Sequence, residues 1–293
     1  MKKIIIGVDL GGTKIAAAAA DECGCLLSEL IVPTEAQKGK KQVILNLEKA
    51  IETLARSIKG KISKIGIGVP GPIDFHTGIV IEPPNLPGWK KVNLKSEISK
   101  KFNVPIFIDN DANCAALGEA LFGAGQKARN FIYITVSTGI GGGIIIDRKV
   151  YHGANGSAGE FGHMVIDPSG FKCGCGNKGD LEAMASGTSI KTRSGEDAMA
   201  IHIKAQQGDS KAIKVIGETA KYLGIGIANL VNIFNPELVV VGGGLSNMGE
   251  LLLKPTRQEF NKHALALPKK AVKIVRAKLG ARSGLLGAIA LCL

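Results

Sequence analysis

The chain has 293 residues, of which 45% are hydrophobic and 21% are charged, an ordinary globular composition with room for one large or two medium domains. No stretch of the sequence is long and apolar enough to predict a membrane-spanning helix, which excludes an integral membrane protein of that kind. Four of the six cysteines lie in two Cys-x-Cys pairs, which is not the spacing of a secreted disulfide framework, so we expect a cytoplasmic protein with reduced thiols.

The formal net charge of +12 raises the question of nucleic-acid binding. The basic residues are spread along the chain in short groups, such as Lys38 to Lys41 and Lys90 to Lys95, and aromatic residues make up only 4% of the sequence. Neither a basic recognition helix nor a basic stripe with interleaved aromatic side chains is present. We therefore predict no nucleic-acid partner, and a basic surface that mildly attracts anionic ligands.

The first half of the sequence predicts three strands joined by tight turns, followed by a helix and a further strand. The β-branched run at 4–8 predicts a buried strand, and residues 15–20 and 26–32 predict two more, which together form an antiparallel meander. Apolar residues at helical spacing predict an amphipathic helix over 41–59. Three further elements follow in order: a strand at 64–69, a helix at about 94–102 and a strand at 105–108.

The second half of the sequence repeats this order. The predicted elements are strands at 131–136, 143–147 and near 150, a long helix at 211–234, a strand at 238–241, a helix at 250–263, a strand at 272–275 and a closing helix at 283–291. A helix near 111–123 is predicted to cross from one half to the other. We therefore predict an α/β protein of two domains with repeated β-β-β-α-β-α-β-α topology flanking a central cleft. The predicted domains are 1–112, completed by the C-terminal helix 281–293, and 113–280.

A glycine-rich turn, Asp9-Leu-Gly-Gly-Thr-Lys14, lies between the first two predicted strands. Because no helix follows it, the turn is neither a P-loop nor a dinucleotide-binding motif, whose glycines precede a helix N-terminus. Glycines in a hairpin turn can adopt positive φ and direct successive amides inward, so Gly11 and Gly12 predict an anion site. Thr13 and Lys14 add a hydroxyl and a cation, and Asp9 is placed to hold a hydrated Mg²⁺. A tight hairpin without a ligand is the alternative.

Two further glycine-rich segments occur in the second half. Ser137-Thr-Gly-Ile-Gly-Gly-Gly143 stands where the first turn stands in the first half. Val241-Gly-Gly-Gly-Leu-Ser246 follows a predicted buried strand, where the backbone can approach a flat ligand closely. The candidate nucleotide-binding residues of these segments are Thr138, Gly139, Gly243 and Gly244. Three such segments in this order indicate an ATP site.

Six further motifs cover most of the chain between and after these segments. They are GVPGPID (68–74), EPPNLPGW (82–89), IDNDANCAALGEALFGAG (108–125), GSAGEFGHM (156–164), CGCGNKGDLEAMASG (173–187) and LGARSGLLGAIAL (279–291). In this order they resemble the ROK family of bacterial sugar kinases and repressors, and the three glycine-rich segments resemble the phosphate and adenosine elements of the actin-like ATPase superfamily. The resemblance implies two actin-like, ribonuclease H-like domains.

The resemblance also implies an activity: ATP-dependent phosphorylation of a hexose at its 6-hydroxyl, with glucose as the expected acceptor, in glycolysis. Asp111 would be the general base, and Asn110 would hydrogen-bond the neighbouring sugar hydroxyl. The other residues implied to bind the sugar are Gly71, Asn85, Glu160, His163 and Glu182. From residue type alone, Asp111 is equally suited to be a helix N-cap.

The resemblance implies a zinc site as well, with His163, Cys173 and Cys175 as ligands. The family pattern has a third cysteine where this sequence has Asp180. A carboxylate oxygen can complete a tetrahedral zinc site, although it binds zinc less strongly than a thiolate, so we expect a structural zinc with Asp180 as fourth ligand. The absence of a tight metal stays open. So does a second site at Cys23 and Cys25, for which a plain β-turn is the better account.

Several alternatives remain at this point. The acceptor could be fructose, mannose, allose or an N-acetylhexosamine, and the donor could be another nucleotide or polyphosphate. The family also contains sugar-sensing repressors with an N-terminal winged-helix domain, whereas this sequence predicts its first strand at Ile4, which favours the kinase. An actin-like polymer or a chaperone would not require the GEFGH and CGCG segments. A homodimer is expected by resemblance alone.

Overall fold

The computed structural model describes residues 2–293 as three β-sheets flanked by helices. The strands and helices from the start of the chain to its middle are β1 (Lys3–Leu10), β2 (Lys14–Ala20), β3 (Leu26–Pro33), α1 (Lys40–Ile58), β4 (Lys61–Val69), β5 (Ile73–Asp74), β6 (Ile79–Val80), β7 (Val92–Asn93), α2 (Leu94–Ser99), β8 (Ile106–Asn110) and α3 (Asp111–Phe122). Those that follow are β9 (Phe131–Val136), β10 (Ile140–Ile146), β11 (Lys149–Val150), α4 (Leu181–Ala185), α5 (Gly187–Ser194), α6 (Ala198–Gln206), α7 (Ser210–Phe234), β12 (Leu238–Gly242), α8 (Glu250–His263), α9 (Ala266–Ala271), β13 (Lys273–Arg276) and α10 (Ser283–Ala290).

The two large sheets have the same topology, which confirms the predicted repeat. The first has the order β3-β2-β1-β4-β8, and the second has the order β11-β10-β9-β12-β13. In each sheet the first two strands of the half form an antiparallel hairpin, and the two strands that follow a helical crossover add in parallel. A small three-stranded sheet, β5-β6-β7, was not predicted, because its two-residue strands carry no periodic signal.

The sequence pattern explains why the first sheet is buried. Ile4, Ile6 and Val8 alternate along β1 and are fully buried, and the intervening residues are mostly buried as well because helices cover the sheet. In α1, Val43, Leu47 and the later apolar positions recur at helical spacing and form the buried stripe of that helix. A strand with both faces covered carries apolar residues on both faces, which is what the run at 4–8 predicted.

Helices α3 and α10 pack closely because both contain glycine at their contact. A Cβ atom added at Gly287 would overlap the backbone carbonyl of Cys114, and one added at Gly118 would overlap the carbonyl of Ser283. The side chains of Glu119 and Ser283 meet at the same contact, where the Ser283 hydroxyl donates to the carboxylate at 2.9 Å. Helix α10 therefore packs so closely against α3 that the backbones of the two helices are in contact.

The chain divides into two compact units. Unit 1 comprises Met1–Gly123, Val150–Ala158 and Arg282–Leu293, and unit 2 comprises Ala124–Lys149 and Gly159–Ala281. The predicted domain boundary lay at 112/113, so α3 falls in unit 1 here, and unit 1 also includes a short segment from the middle of the chain. No helix among residues 2–293 has the length and apolar character that crossing a membrane requires.

Candidate functional site

The first glycine-rich turn joins β1 to β2 as an antiparallel hairpin, as predicted. The turn closes through the backbone N–H of Gly11, which donates to the carbonyl of Lys14 at 3.0 Å, and Thr34 donates its hydroxyl to the carbonyl of Gly11 at 2.7 Å. The expectation of positive φ at Gly11 and Gly12 is wrong. Glycine is needed at position 12 for a different reason, because a Cβ atom there would lie 2.7 Å from the backbone oxygen of Asn85. Thr13 and Lys14 are exposed at the turn.

The close approach at Gly12 brings a candidate sugar residue to the candidate phosphate turn. Asn85 is exposed, and the segment that carries it is held in place by Leu86 and Trp89, each 1% exposed. Asp9 lies at the end of β1 on the same hairpin, next to Gly284 of α10. Burial raises the pKa of the Asp9 carboxyl above its ordinary value, and the charge of Lys14 opposes the shift. A desolvated carboxylate of this kind gains stability from a nearby cation.

Asn110 and Asp111 lie where β8 ends and α3 begins. Asn110, not Asp111, is the N-cap: its side-chain oxygen accepts the backbone N–H groups of Ala112 at 2.8 Å and of Asn113 at 3.4 Å. The alternative that Asp111 is a plain helix cap is therefore wrong. Asp111 is the first helical residue and is half-buried, and its Oδ1 accepts the N–H of Ala112 at 2.8 Å.

Gly71 lies against the same helix start. A Cβ atom at Gly71 would lie 2.9 Å from Nδ2 of Asn110, so a larger residue there would displace the Asn110 amide. The parallel pairing of β4 with β8 sets this proximity, because Val69 stands opposite Asn110. The carboxyl ends of parallel strands are where ligand-binding residues of open α/β sheets gather. Unit 1 thus brings together Gly71, Asn110 and Asp111.

The second turn, in unit 2, is shorter than predicted. Strand β10 begins at Ile140, opposite Val136, so the connection consists of Ser137, Thr138 and Gly139 alone. The carbonyl of Thr138 accepts the Thr188 hydroxyl at 2.8 Å, and the carbonyl of Ser137 accepts the N–H of Gly187 at 2.7 Å. The start of α5 thereby fixes the turn.

Glu182 holds the other side of that turn. Its Oε2 accepts the backbone N–H of Ile140 at 2.8 Å, and it leaves no room for a side chain at Gly139. A candidate sugar residue and a candidate phosphate residue therefore lie side by side within unit 2. Gly162 packs against the carbonyl of Ile140 and against Glu182, which brings the short helix that ends at His163 to the same place. Glu160 precedes that helix and is exposed.

A pocket of about 430 Å³ opens beside the second turn, wholly within unit 2. The segments Ser137–Thr138 and Gly244–Leu245 border it. Lining residues that no sequence motif marks include Lys191, Asp197, Met199, His202 and Asn247. Gly243 has a φ of +80° and lies against the backbone of Val136, so a larger residue there would push the third glycine-rich segment away from the turn. No sequence motif marks His202.

The four predicted zinc ligands lie together in unit 2. The candidate ligand atoms of His163, Cys173, Cys175 and Asp180 all lie within 4.8 Å of one another. Asp180 Oδ2 is 3.1 Å from His163 Nδ1 and 3.4 Å from Cys175 Sγ, and Cys173 Sγ is 3.8 Å from His163 Nδ1. Zinc bonds of about 2.0–2.3 Å in a tetrahedron place ligand atoms roughly 3–4 Å apart, so the donor set fits this metal.

Asp180 is fully buried and has a second role that the sequence analysis missed. Its Oδ1 caps α4 by accepting the N–H of Ala183 at 2.9 Å, while Oδ2 faces the histidine and the thiols. Burial alone would raise the pKa of Asp180, but hydrogen bonds from Cys173, the Ala183 N–H, His163 and Cys175 outweigh it, and the pKa is lowered. Burial and the nearby Asp180 raise the pKa of Cys173 to about 12. Cys23 and Cys25 are exposed in the turn that joins β2 to β3.

Two sheets of one strand order, each with a glycine-rich turn in its first hairpin, define the class of actin-like two-domain proteins. A sequence profile of the ROK family matches residues 5–293, and the chain belongs to that family. A glucokinase from Halalkalibacterium halodurans is 38% identical over 96% of this chain and 92% of its own length. A xylose repressor from Caldicellulosiruptor bescii is 38% identical over 98% of this chain and 77% of its own length.

Among solved structures, a ROK family glucokinase from Streptomyces griseus in complex with glucose and AMPPNP superposes with a TM-score of 0.84. It is 35% identical to this chain, and the match covers 98% of each chain.

Proposed function

We propose that this protein is an ATP-dependent hexose kinase that transfers the γ-phosphoryl group of ATP to the 6-hydroxyl of glucose. The observation that carries the proposal is the likeness, at 35% identity over 98% of the chain, to a glucokinase whose structure holds glucose and an ATP analogue. The similar identity to the H. halodurans glucokinase supports it. Particular residues of this chain would bind the sugar and the nucleotide.

The sugar-binding residues of unit 1 would be Asn110, Asp111, Gly71 and Asn85. Phosphoryl transfer needs little covalent chemistry from the protein beyond a positioned hydroxyl and an acceptor for its proton. The Asp111 carboxylate would accept the proton of the 6-hydroxyl, because the helix start fixes its position and leaves it half-buried. Asn110 would orient the neighbouring hydroxyl through its amide, and its Oδ1 already caps α3.

The nucleotide-binding residues would be those of the two glycine-rich turns and of the pocket in unit 2. The adenosine would occupy the pocket next to Gly243 and Gly244, and Thr138 and Gly139 would bind phosphate oxygens. The Gly11 to Lys14 turn would bind phosphate from unit 1 through a hydroxyl and a cation. When bound with ATP, Mg²⁺ would neutralise phosphate charge, and Asp9 would hold it through water.

We also propose that His163, Cys173, Cys175 and Asp180 bind a structural zinc ion. Zinc supplies a cross-link between the short helix that ends at His163, the loop of Cys173 and Cys175, and the start of α4. Those are the elements that carry Glu160, His163 and Glu182, the proposed sugar-binding residues of unit 2. His163 would bind the metal through Nδ1, which leaves Nε2 for the sugar.

A coupled assay of ADP release tests the proposed activity. Purified protein is given ATP and Mg²⁺ with glucose, fructose, mannose, allose or an N-acetylhexosamine, and we expect the highest kcat/KM with glucose. Inorganic polyphosphate replaces ATP in a parallel series to test the donor. The absence of sugar-dependent ADP release with every hexose would rule out the proposal.

A sugar-sensing regulator is the second candidate, because the xylose repressor is as similar to this chain as the glucokinase is. A regulator would bind a sugar without turning over ATP. Calorimetric sugar binding combined with no ADP release would favour this candidate. Sedimentation of the same sample tests the homodimer, which we propose on the resemblance alone.

A further inference from the structure

A buried carboxylate next to the proposed base connects three parts of unit 1. Asp109 is 3% exposed and stands in β8 opposite Gly68 of β4. Its Oδ1 accepts the backbone N–H of Asn110 at 2.7 Å and the side-chain amide of Asn113 at 3.0 Å. Its Oδ2 accepts a hydrogen bond from His152 Nε2 at 2.7 Å. One side chain thus joins the end of β8, the first turn of α3 and a segment far along the sequence.

His152 is itself held in place by an aromatic ring. It stacks on Phe75 with ring centroids 3.8 Å apart and an interplanar angle of 8°. Phe75 directly follows β5, and a Cβ atom added at Gly156 would lie 3.1 Å from the Phe75 ring. The imidazole cannot rotate away from Asp109 without losing this stacking, so its position is fixed from two directions.

The cost of burying a carboxylate explains why the position of the Asp109 side chain is so well determined. A buried charge is tolerated only when donors surround it, and Asp109 has three of them: a backbone N–H, an amide and an imidazole. If His152 is removed, the carboxylate loses the donor to Oδ2 and is expected to turn towards water. Oδ1 holds Asn110 and Asn113, so that movement would disturb the first turn of α3, where Asp111 lies.

The segment that carries His152 continues into proposed sugar-binding residues. Residues Val150–Ala158 belong to unit 1, and the chain continues through Gly159 to Glu160 and His163. Gly159 has a φ of +96° and lies against the carbonyl of Gly142, so the chain direction at this point is tightly constrained. The bond between Asp109 and His152 therefore fastens the start of that segment to the strand that ends at Asn110.

We propose that Asp109 and His152 are positioning residues of the transfer reaction. The pair holds Asn110 and Asp111 in the orientation that the sugar requires, and it anchors the segment that leads to Glu160. Neither side chain has to touch the sugar or the nucleotide. This inference rests on the proposed function, since its kinetic consequences concern sugar phosphorylation.

The test compares His152→Ala with His152→Gln, which keeps a side-chain N–H donor. Displacing reacting groups by a fraction of an ångström to one ångström costs on the order of 10- to 100-fold in rate, so we expect kcat/KM for glucose to fall by that amount in His152→Ala. KM for ATP should change little, because the pocket proposed for the adenosine is lined by unit 2 residues alone. His152→Gln should recover most of the loss. The matched control is His76→Ala, because His76 is exposed and also contacts Phe75, with centroids 3.9 Å apart.

A second measurement separates this inference from the proposed function. Amide hydrogen exchange of the protein without ligands should accelerate in peptides that cover 106–116 and 150–158 in His152→Ala. Peptides that cover 238–248 should exchange as in the wild type. A wild type that phosphorylates no hexose overturns the proposed function, and the exchange data still decide whether the pair holds the two segments. Unchanged exchange, unchanged glucose kinetics, or equal losses in His152→Ala and His152→Gln would each overturn the positioning role.

Discussion

Each unit of this protein contains one buried aspartate bonded to one histidine, and the two pairs have different surroundings. In unit 1, Asp109 is 2.7 Å from His152, and in unit 2, Asp180 is 3.1 Å from His163. Both carboxylates lie beside the first turn of a helix. Asp109 precedes the N-cap of α3, and Asp180 is itself the N-cap of α4.

The neighbours of each pair determine what it can do. Around Asp109 there are amide donors and a stacked aromatic ring, which fix a geometry, whereas the group of histidine, cysteine and aspartate side chains found among residues 2–293 that could hold a metal lies around Asp180. Two thiols lie around the Asp180 pair. Cys175 Sγ is 3.4 Å from Asp180 Oδ2, and Cys173 Sγ is 3.8 Å from His163 Nδ1. The same two residue types are therefore suited to fixing a helix start in unit 1 and to binding a soft metal in unit 2.

The largest expected effect on glucose phosphorylation comes from Asp111→Ala, and the effects expected at the two aspartate–histidine pairs are compared with it. Loss of the proposed base should lower kcat for glucose phosphorylation by roughly 10²- to 10⁴-fold, because proton acceptance by a positioned side chain contributes about that much. Calorimetric ATP binding should change little. Asp111→Asn, whose side chain has nearly the same size as that of aspartate, serves as a control for the lost side-chain volume. Undiminished turnover in a folded Asp111→Ala protein would contradict the proposed mechanism.

Metal removal tests the unit 2 pair. We expect the purified protein to contain about one zinc per chain by elemental analysis. Removing it with a chelator should lower the melting temperature and weaken glucose binding by about tenfold or more, because the metal holds the elements that carry the sugar-facing residues. ATP binding should persist. Full glucose affinity in a metal-free sample would contradict the proposed role of zinc.

Asp180→Cys and Asp180→Asn separate the two roles of Asp180. The cysteine variant restores three thiols and should bind zinc more tightly, but without zinc it should be less stable by about 1 kcal/mol because the cap of α4 is lost. The asparagine variant keeps the cap and should lose zinc affinity. If both variants bind zinc as the wild type does, Asp180 is not a ligand.

A smaller effect is expected at the helix cap of unit 1. Asn110→Ala should lower the free energy of unfolding by about 0.5–2 kcal/mol, because the N–H groups of Ala112 and Asn113 lose their acceptor, and should raise KM for glucose. Asn110→Ser can still cap the helix, so it should keep the stability and still raise KM. Urea unfolding and steady-state kinetics measure the two effects. Equal destabilisation by both variants would argue against the capping role.

The smallest effect is expected from a third histidine–carboxylate pair, which is on the surface. His263 and Glu259 are 2.9 Å apart on α8, and the histidine side chain is 45% exposed. His263→Ala should change the free energy of unfolding by less than about 0.5 kcal/mol and leave kinetics unchanged, because exposed ion pairs contribute little. A fall in kcat/KM for glucose comparable to that expected of His152→Ala would show that burial is not what distinguishes the pairs.

Most of the fold could be predicted because its signals are local. Short apolar runs, most of them rich in β-branched residues, predicted every strand of the two large sheets, and apolar positions at helical spacing predicted the long helices. The start of β10 was placed at Gly143 rather than at Ile140, since glycines carry no strand signal. Gly142 pairs with Ile134 in the strand, and the ring of Phe161 packs where a side chain at position 142 would be. The short helices α4 to α6 and α9 were not predicted, because they lack a long enough periodic pattern.

The candidate site was predictable where a motif is contiguous and was missed where residues come from distant segments. The Cys-x-Cys pair and GEFGH marked the cluster that the structure brings within 4.8 Å. The capping role of Asp180 depends on where α4 begins, which the sequence did not reveal. Asp109 and His152 are 43 residues apart, and the pocket residues Lys191, His202 and Asn247 come from separate elements. Only tertiary folding makes these residues neighbours.

The packing of α10 against α3 has a consequence for how the chain folds during synthesis. Unit 1 begins at the N-terminus, yet its last helix, Ser283–Ala290, is translated only after all of unit 2. Domains generally fold in the order in which they leave the ribosome, but here unit 1 cannot be completed until α10 has been translated. Until α10 arrives, the glycine-lined surface of α3 stays uncovered, and a nascent chain stalled before residue 283 would expose it to chaperones and proteases.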